Sequence, residues 1–244
     1  MTVRTQVLTY AVGGVSMQSD LYFDDAATRP RPGIVVFPEA FGLSEHARGC
    51  ARRLAEHGYV ALAADYHGGA KLYQTLEEIM PIIGALSQNP SRAREIGGAA
   101  LNALRGRTEV AAGQLAAIGY CFGGTMALEL ARSGAPTAAT VGFHSGLGTA
   151  KPAEKGVVKG KVLVCIGSDD PLIPLEQRAD FEREMRAAVA DWRLYVYGSA
   201  VHSFTNPDAD KAGRPEMLRY DSRSDSRSWG EMLALFDESF GRLG

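Results

Sequence analysis

Gly119-Tyr120-Cys121-Phe122-Gly123 has the spacing of a nucleophile elbow, with cysteine at the position where serine is common. Its two glycines permit a very tight strand-to-helix turn, and the apical residue of such a turn is strained and exposes its side chain. The run before it, Gln114-Leu115-Ala116-Ala117-Ile118, reads as a short buried strand. The run after it, Phe122 to Arg132, reads as a helix of small and apolar residues stopped by Gly134. Serine at such a turn needs a base to become nucleophilic, whereas a thiol at a helix N-terminus is already easier to ionise.

Outward from the elbow, the 244-residue chain alternates strand-like and helix-like segments. Thr5 to Thr9 and Gly14 to Phe23 form an opening hairpin bent around Gly13-Gly14, and Gly33 to Phe37 is a β-branched run suited to a buried parallel strand. Ser44 caps an amphipathic helix that Gly58 ends, and Tyr59 to Asp65 is the next strand. Gln74 to Arg105 reads as two helices broken near Asn89-Pro90 and weakened by Gly97-Gly98. Strands follow at Ala138 to Phe143, Lys161 to Ile166 and Trp192 to Tyr197, with helices at Pro174 to Ala190 and Arg227 to Phe240. Such alternation predicts one α/β domain over residues 1–244, a mostly parallel sheet with helices on both faces. Asn206 to Ser228, rich in Asp, Arg and Ser, reads as a solvated loop, with a flap over the site as the functional alternative.

Composition bounds the partners. Hydrophobic residues are 45% and charged residues 22%, ordinary for a soluble protein with a sizeable core. A formal net charge of −2 with scattered basic residues excludes a nucleic-acid footprint. No apolar stretch is long enough to span a bilayer, and the N-terminus lacks the apolar core of a signal peptide. Cys50, Cys121 and Cys165 cannot all pair and form no C-x-x-C, which suits reduced thiols in the cytoplasm. No phosphate loop, dinucleotide loop or metal-ligand cluster is present, so no cofactor and no metal are expected. A monomer or weak homo-oligomer acting on a small molecule is the corresponding expectation.

A nucleophile at an elbow needs a base, and the base needs an orienting acid; in α/β-hydrolases they follow in the order nucleophile, acid, histidine. The acid lies in Gly167-Ser168-Asp169-Asp170-Pro171, after a strand whose C-terminal end faces the crevice where open sheets bind ligands. Asp169 and Asp170 both qualify, and the G-x-x-D spacing favours Asp170, leaving Asp169 as a turn cap. The base is His202, on a loop of small residues after the last strand.

With these residues in place the chain resembles the dienelactone hydrolase family, whose nucleophile is the cysteine of a G-x-C-x-G-G motif. The resemblance rests on Gly119 to Gly124, the Asp170 loop, His202-Ser203-Phe204 and Pro38-Glu39-Ala40-Phe41-Gly42, and runs from about Val15 to the final helix. It implies an α/β-hydrolase cleaving a carboxylic ester or lactone through a thioester at Cys121. By the same resemblance Glu39 contacts and modulates the thiol, and the backbone N–H groups of Ala40 and Phe122 form the oxyanion hole. One position departs: Asn206 stands where dienelactone hydrolase itself has an arginine that holds the substrate carboxylate. That departure points toward a plain short-chain ester or a thioester as substrate; outside hydrolysis, a non-catalytic or redox-sensing thiol protein is the other class considered.

The remaining candidates read as structural. Cys165 lies mid-strand among apolar residues and belongs to the core. Cys50 follows His46 by four residues on the first helix, but no third ligand is near, so helix packing explains it. His67 and His144 follow strands and are read as bystanders near the pocket.

Overall fold

From Ile34 to Phe37, Val60 to Ala63 and Ala116 to Tyr120, every residue is buried. Strands buried on both faces need helices on both faces, and that is the architecture of the computed structural model, which describes residues 2–243. Its strands are β1 Val3–Val12, β2 Val15–Asp24, β3 Arg31–Phe37, β4 Val60–Ala63, β5 Val110–Tyr120, β6 Ala139–Phe143, β7 Lys161–Gly167 and β8 Trp192–Tyr197. They form one sheet in the order β1-β2-β4-β3-β5-β6-β7-β8. β1 and β2 form an antiparallel hairpin turned at Gly13-Gly14, both with positive φ, and β2 pairs antiparallel with β4. Every pairing from β4 to β8 is parallel, which makes this an α/β-hydrolase sheet.

The two-residue strand period sorts the core. Ile34, Val36, Ala116, Ile118 and Tyr120 face α1 (Glu45–Glu56) and α6 (Ser222–Phe240). Val35, Phe37, Leu115 and Ala117 face α2 (Leu76–Gln88), α3 (Pro90–Arg105) and α4 (Phe122–Arg132). The far end of α4 packs with α5 (Leu175–Ala187) through Leu128, Ala131, Phe181 and Met185. No helix is long and apolar enough to cross a membrane among the described residues.

The break between α2 and α3 falls at Asn89, as expected, and α3 runs on through Gly97-Gly98, where Gly97 packs against Phe37 and Leu130. Two segments depart from their expected outlines. α6 begins at Ser222, where the Asp221 carboxylate accepts from the Ser224 N–H at 2.7 Å; its first turns, Ser-Arg-Ser-Asp-Ser-Arg, carry no apolar period to reveal them. Residues 206–228 are therefore not one long loop. They hold a short 3-10 helix, Pro207–Ala212, capped by Asn206, and then the start of α6.

A buried ion network anchors the elbow helix. Arg132, with 1% of its side chain exposed, bonds Glu129 at 3.1 Å and Glu184 of α5 at 2.8 Å, and also donates to the Leu147 carbonyl at 2.7 Å. Arg94 of α3 reaches the same Glu129 at 2.9 Å. Removing Arg132 leaves Glu129 with Arg94 but Glu184 with no cation, and an uncompensated buried charge typically costs about 3–5 kcal/mol. Arg132→Ala is expected to lose stability on that scale in urea denaturation; a loss below about 1 kcal/mol would show that the network is solvated.

Candidate active site

Cys121 sits between β5 and α4 with φ +53° and ψ −122°, a backbone state that L-residues rarely hold. Such strain costs on the order of 1–3 kcal/mol and persists only where its surroundings over-determine it. Here backbone crowding does so. A Cβ on Gly119 would strike the Gly123 carbonyl, one on Gly123 the carbonyls of Phe37 and Pro38, and one on Gly124 the Ser145 hydroxyl. The Cys121 N–H donates to the Phe143 carbonyl at 3.0 Å and to His144 Nδ1 at 3.1 Å. With its backbone pinned this way, the half-buried side chain projects from the turn.

Asp170 and His202 come together at the ends of β7 and β8. His202 Nδ1 lies 2.8 Å from Asp170 Oδ2, and Asp170 Oδ1 accepts from the Leu172 N–H at 2.9 Å. Asp169 instead turns outward and accepts from the Ser168 hydroxyl. The backbone of His202 is braced by the chain after the 3-10 helix: its N–H donates to the Met217 carbonyl and its carbonyl accepts from Arg219. His202 Nε2 is buried, with no hydrogen-bond partner apart from the Cys121 thiol. Burial opposes charge on this ring, but Cys121 and the Asp170 carboxylate outweigh it and lift its pKa to about 10.

Glu39 lies in a different set of contacts. Its Oε1 is 2.6 Å from His46 Nδ1 and accepts from Asn206 Nδ2 at 3.1 Å, and its Oε2 accepts from the Ser44 hydroxyl at 2.9 Å. Burial works against both charges, yet each partner outweighs it for the other: Glu39 stays below the usual carboxylate range and His46 rises to about 11. Among the described residues Glu39 makes no hydrogen bond to Cys121, since the imidazolium of His46 is the stronger partner. Asn206, at the position noted for its missing arginine, thus holds Glu39 and also caps the 3-10 helix by accepting from the Asp208 N–H.

The Glu39-Ala40 peptide is clamped from two sides. The Tyr66 hydroxyl donates to the Glu39 carbonyl at 2.7 Å, and His67 Nε2 bonds the Ala40 carbonyl at 2.8 Å. The N–H groups of Ala40 and Phe122 have no protein acceptor among the described residues, Phe122 because it opens α4. Cys121 packs against the same hydrophobic cluster as Phe41, Tyr73, Ile82 and Ile83. Lys71 Nζ lies 4.3 Å from the centre of the Tyr73 ring.

Two histidines read as bystanders have definite places. His144 is fully buried, accepts the Cys121 N–H at Nδ1, and bonds the Thr205 hydroxyl through Nε2 at 2.8 Å. Burial and the nearby His202 charge hold its pKa well below the usual histidine range, so it is neutral with its proton on Nε2. The available signal was its position directly after β6, whose Phe143 pairs with Tyr120. His67, also pushed down by burial, braces the Ala40 loop. His46 gave no sequence signal for its role, because only the fold brings α1 to Glu39.

Residues 19–240 match the sequence profile of the dienelactone hydrolase family. A Yersinia pestis protein named "Putative carboxymethylenebutenolidase" is 30% identical over 227 residues, 88% of this chain and 80% of its own. A Bradyrhizobium protein named "Probable 2-oxo-3-(5-oxofuran-2-ylidene)propanoate lactonase" is 27% identical over 184 residues, 71% of this chain and 73% of its own. Among solved structures, a dienelactone hydrolase-like promiscuous phosphotriesterase from metagenomic libraries is 42% identical with a TM-score of 0.93, over 99% of this chain and 100% of its own. With a profile match across nearly its whole length, the chain belongs to the dienelactone hydrolase family and is a carboxylic ester hydrolase.

Proposed function

We propose that this hydrolase works by acyl transfer to Cys121, with His202 as its acid–base and Asp170 as the residue that orients it. The observation that carries this reading is the buried Nε2 of His202, left to Cys121 alone, on a ring whose charge is favoured by both Cys121 and Asp170. Ionised against that ring once substrate binds, Cys121 supplies the nucleophile and His202 the proton for the leaving group. Cys121 sulfur adds to the ester or lactone carbonyl, and the resulting oxyanion takes the Ala40 and Phe122 N–H groups. One such donor is worth roughly 3–4 kcal/mol in the transition state. As the tetrahedral intermediate collapses, the C–O bond breaks and His202 protonates the departing alkoxide at Nε2. His202, now neutral, takes a proton from water, whose oxygen attacks the thioester and releases the acid and the thiolate.

Glu39 would act on Cys121 as a charge held back by His46, Ser44 and Asn206, keeping the thiol in check until substrate arrives. Asn206, an uncharged side chain already engaged with Glu39, favours a neutral acyl group over one bearing a carboxylate. Lys71, already over the Tyr73 ring, is the cation at hand for a charged substrate.

Three measurements test this reading. With p-nitrophenyl acetate a burst followed by turnover is expected, and Cys121→Ala should lower kcat by at least about 10³-fold; retained turnover would remove Cys121 from the role. With an alkyl ester, whose leaving group needs the His202 proton, kcat/KM should fall as pH rises through about 10, where the raised pKa of His202 is crossed. Asp170→Asn removes a cause of that elevation, so the basic limb should move to lower pH; an unmoved limb assigns it to another group. Glu39→Gln should change both the pH–rate profile and the rate of Cys121 alkylation by iodoacetamide, read on the Cys121 peptide. If neither moves, Glu39 has no part in controlling the thiol.

A further inference from the structure

On the α1–α6 face of the sheet a second thiol occupies a site that ester hydrolysis does not use. Cys50, half-buried on α1, lines a cavity of about 220 Å³ that is open to solvent and shared with His46, Arg53, Tyr120, Asp225 and Trp229. Its sulfur lies 3.7 Å from His46 Nε2, whose nearer partner is the Thr205 carbonyl at 3.0 Å, and the His46 ring stands edge-on to Tyr120 with centroids 4.7 Å apart. Two of the lining residues, Tyr120 and Trp229, carry buried donors and are 1% and 5% exposed. The Trp229 indole N–H has no hydrogen-bond partner, and the Tyr120 hydroxyl has none apart from the Cys50 thiol. Buried donors are almost always satisfied, so the pair marks a place for an acceptor on the Cys50 sulfur.

Charges of both signs stand around the sulfur. His46 is an imidazolium through its bond to Glu39, and the Arg53 guanidinium lies 3.8 Å over the Trp229 ring. Asp225 opposes them, but burial raises its pKa and the Tyr220 hydroxyl donates to it. A partly exposed thiol beside fixed cations is the setting of redox-sensitive cysteines. Cys165 shows the contrast: it is fully buried in β7, burial pushes it up to about 12, and it lines no such cavity.

We propose that Cys50 is a second reactive thiol, one that hydroperoxides convert to a sulfenic acid whose new oxygen accepts from the Tyr120 hydroxyl and the Trp229 indole N–H. In that step the thiolate attacks one oxygen of hydrogen peroxide, and an S–O bond forms as the O–O bond breaks. Sulfur gives up two electrons, and the displaced hydroxide takes a proton from solvent and leaves as water. His46 connects this site to the catalytic face, since Nε2 meets the Cys50 sulfur and Nδ1 holds Glu39. The proposal stands whether or not Cys121 is the acyl-transfer nucleophile.

The test treats Cys121→Ser protein with hydrogen peroxide in the presence of dimedone, which traps sulfenic acids, and reads each cysteine peptide by mass spectrometry. The adduct is expected on the Cys50 peptide and absent from the Cys165 peptide. Its rate should fall at least about threefold in Trp229→Phe and again in Tyr120→Phe, each of which removes one donor and little volume. The wild-type protein serves equally if Cys121→Ser folds poorly, because the peptides separate Cys50 from Cys121. Absence of an adduct at Cys50 under conditions that label free cysteine overturns the proposal. Equal Cys50 labelling rates in the wild-type protein and both donor variants overturn the role of the cavity.

Discussion

Strand β5 passes into helix α4 across a single residue, and the backbone can make that turn only because three glycines leave room for neighbouring carbonyls and a hydroxyl. Gly119 lies under the carbonyl of Gly123, Gly123 under those of Phe37 and Pro38, and Gly124 under Ser145. Side chains at these positions would push α4 away from β3 and β5, and Cys121 would relax from φ +53°. The free Phe122 N–H, the projection of the thiol and the contact of the Cys121 N–H with His144 all follow from that close approach. The Arg132 network at the other end of α4 holds the same helix against α3 and α5.

Around the elbow the protein keeps its histidines in two charge states by choice of partner. His46 and His202 each meet a buried carboxylate, Glu39 and Asp170, and both carry pKa values raised well above that of free histidine. His67 and His144 meet a backbone carbonyl and a hydroxyl instead; burial outweighs the Asp65 charge near His67 and acts unopposed by any carboxylate on His144, so both are neutral. A neutral His144 accepts a backbone N–H, which an imidazolium could not do. A charged His202 holds a proton on the ring nitrogen that Asp170 does not engage. The two rings sit with centroids 5.1 Å apart, so the charge of one helps to exclude charge on the other.

Much of this was legible in the chain. Local patterns revealed the elbow, the parallel strands and most helices, because burial on both faces of a strand and apolar periodicity on a helix are written in consecutive residues. The start of α6 was hidden because Ser222 to Arg227 has no apolar period, and its cap, Asp221, resembles any loop aspartate. The choice between Asp169 and Asp170, open on composition, corresponds in the structure to one carboxylate turned toward His202 and one turned toward Ser168.

By itself the sequence determined the covalent chemistry on offer: a cysteine framed by glycines, a later aspartate and a later histidine in an order that one sheet topology brings together. Those are short-range facts, spaced within a few residues of strand ends. Tertiary structure decided who partners whom. It set His46 from α1 against Glu39, brought Asn206 from 167 residues away to the same carboxylate, turned His144 onto the N–H of Cys121, and gave Cys50 a cavity shared with the buried Tyr120 and Trp229. Hydrogen bonds and ion pairs act over about 3 Å regardless of separation along the chain, so such partnerships exist only once the chain has folded.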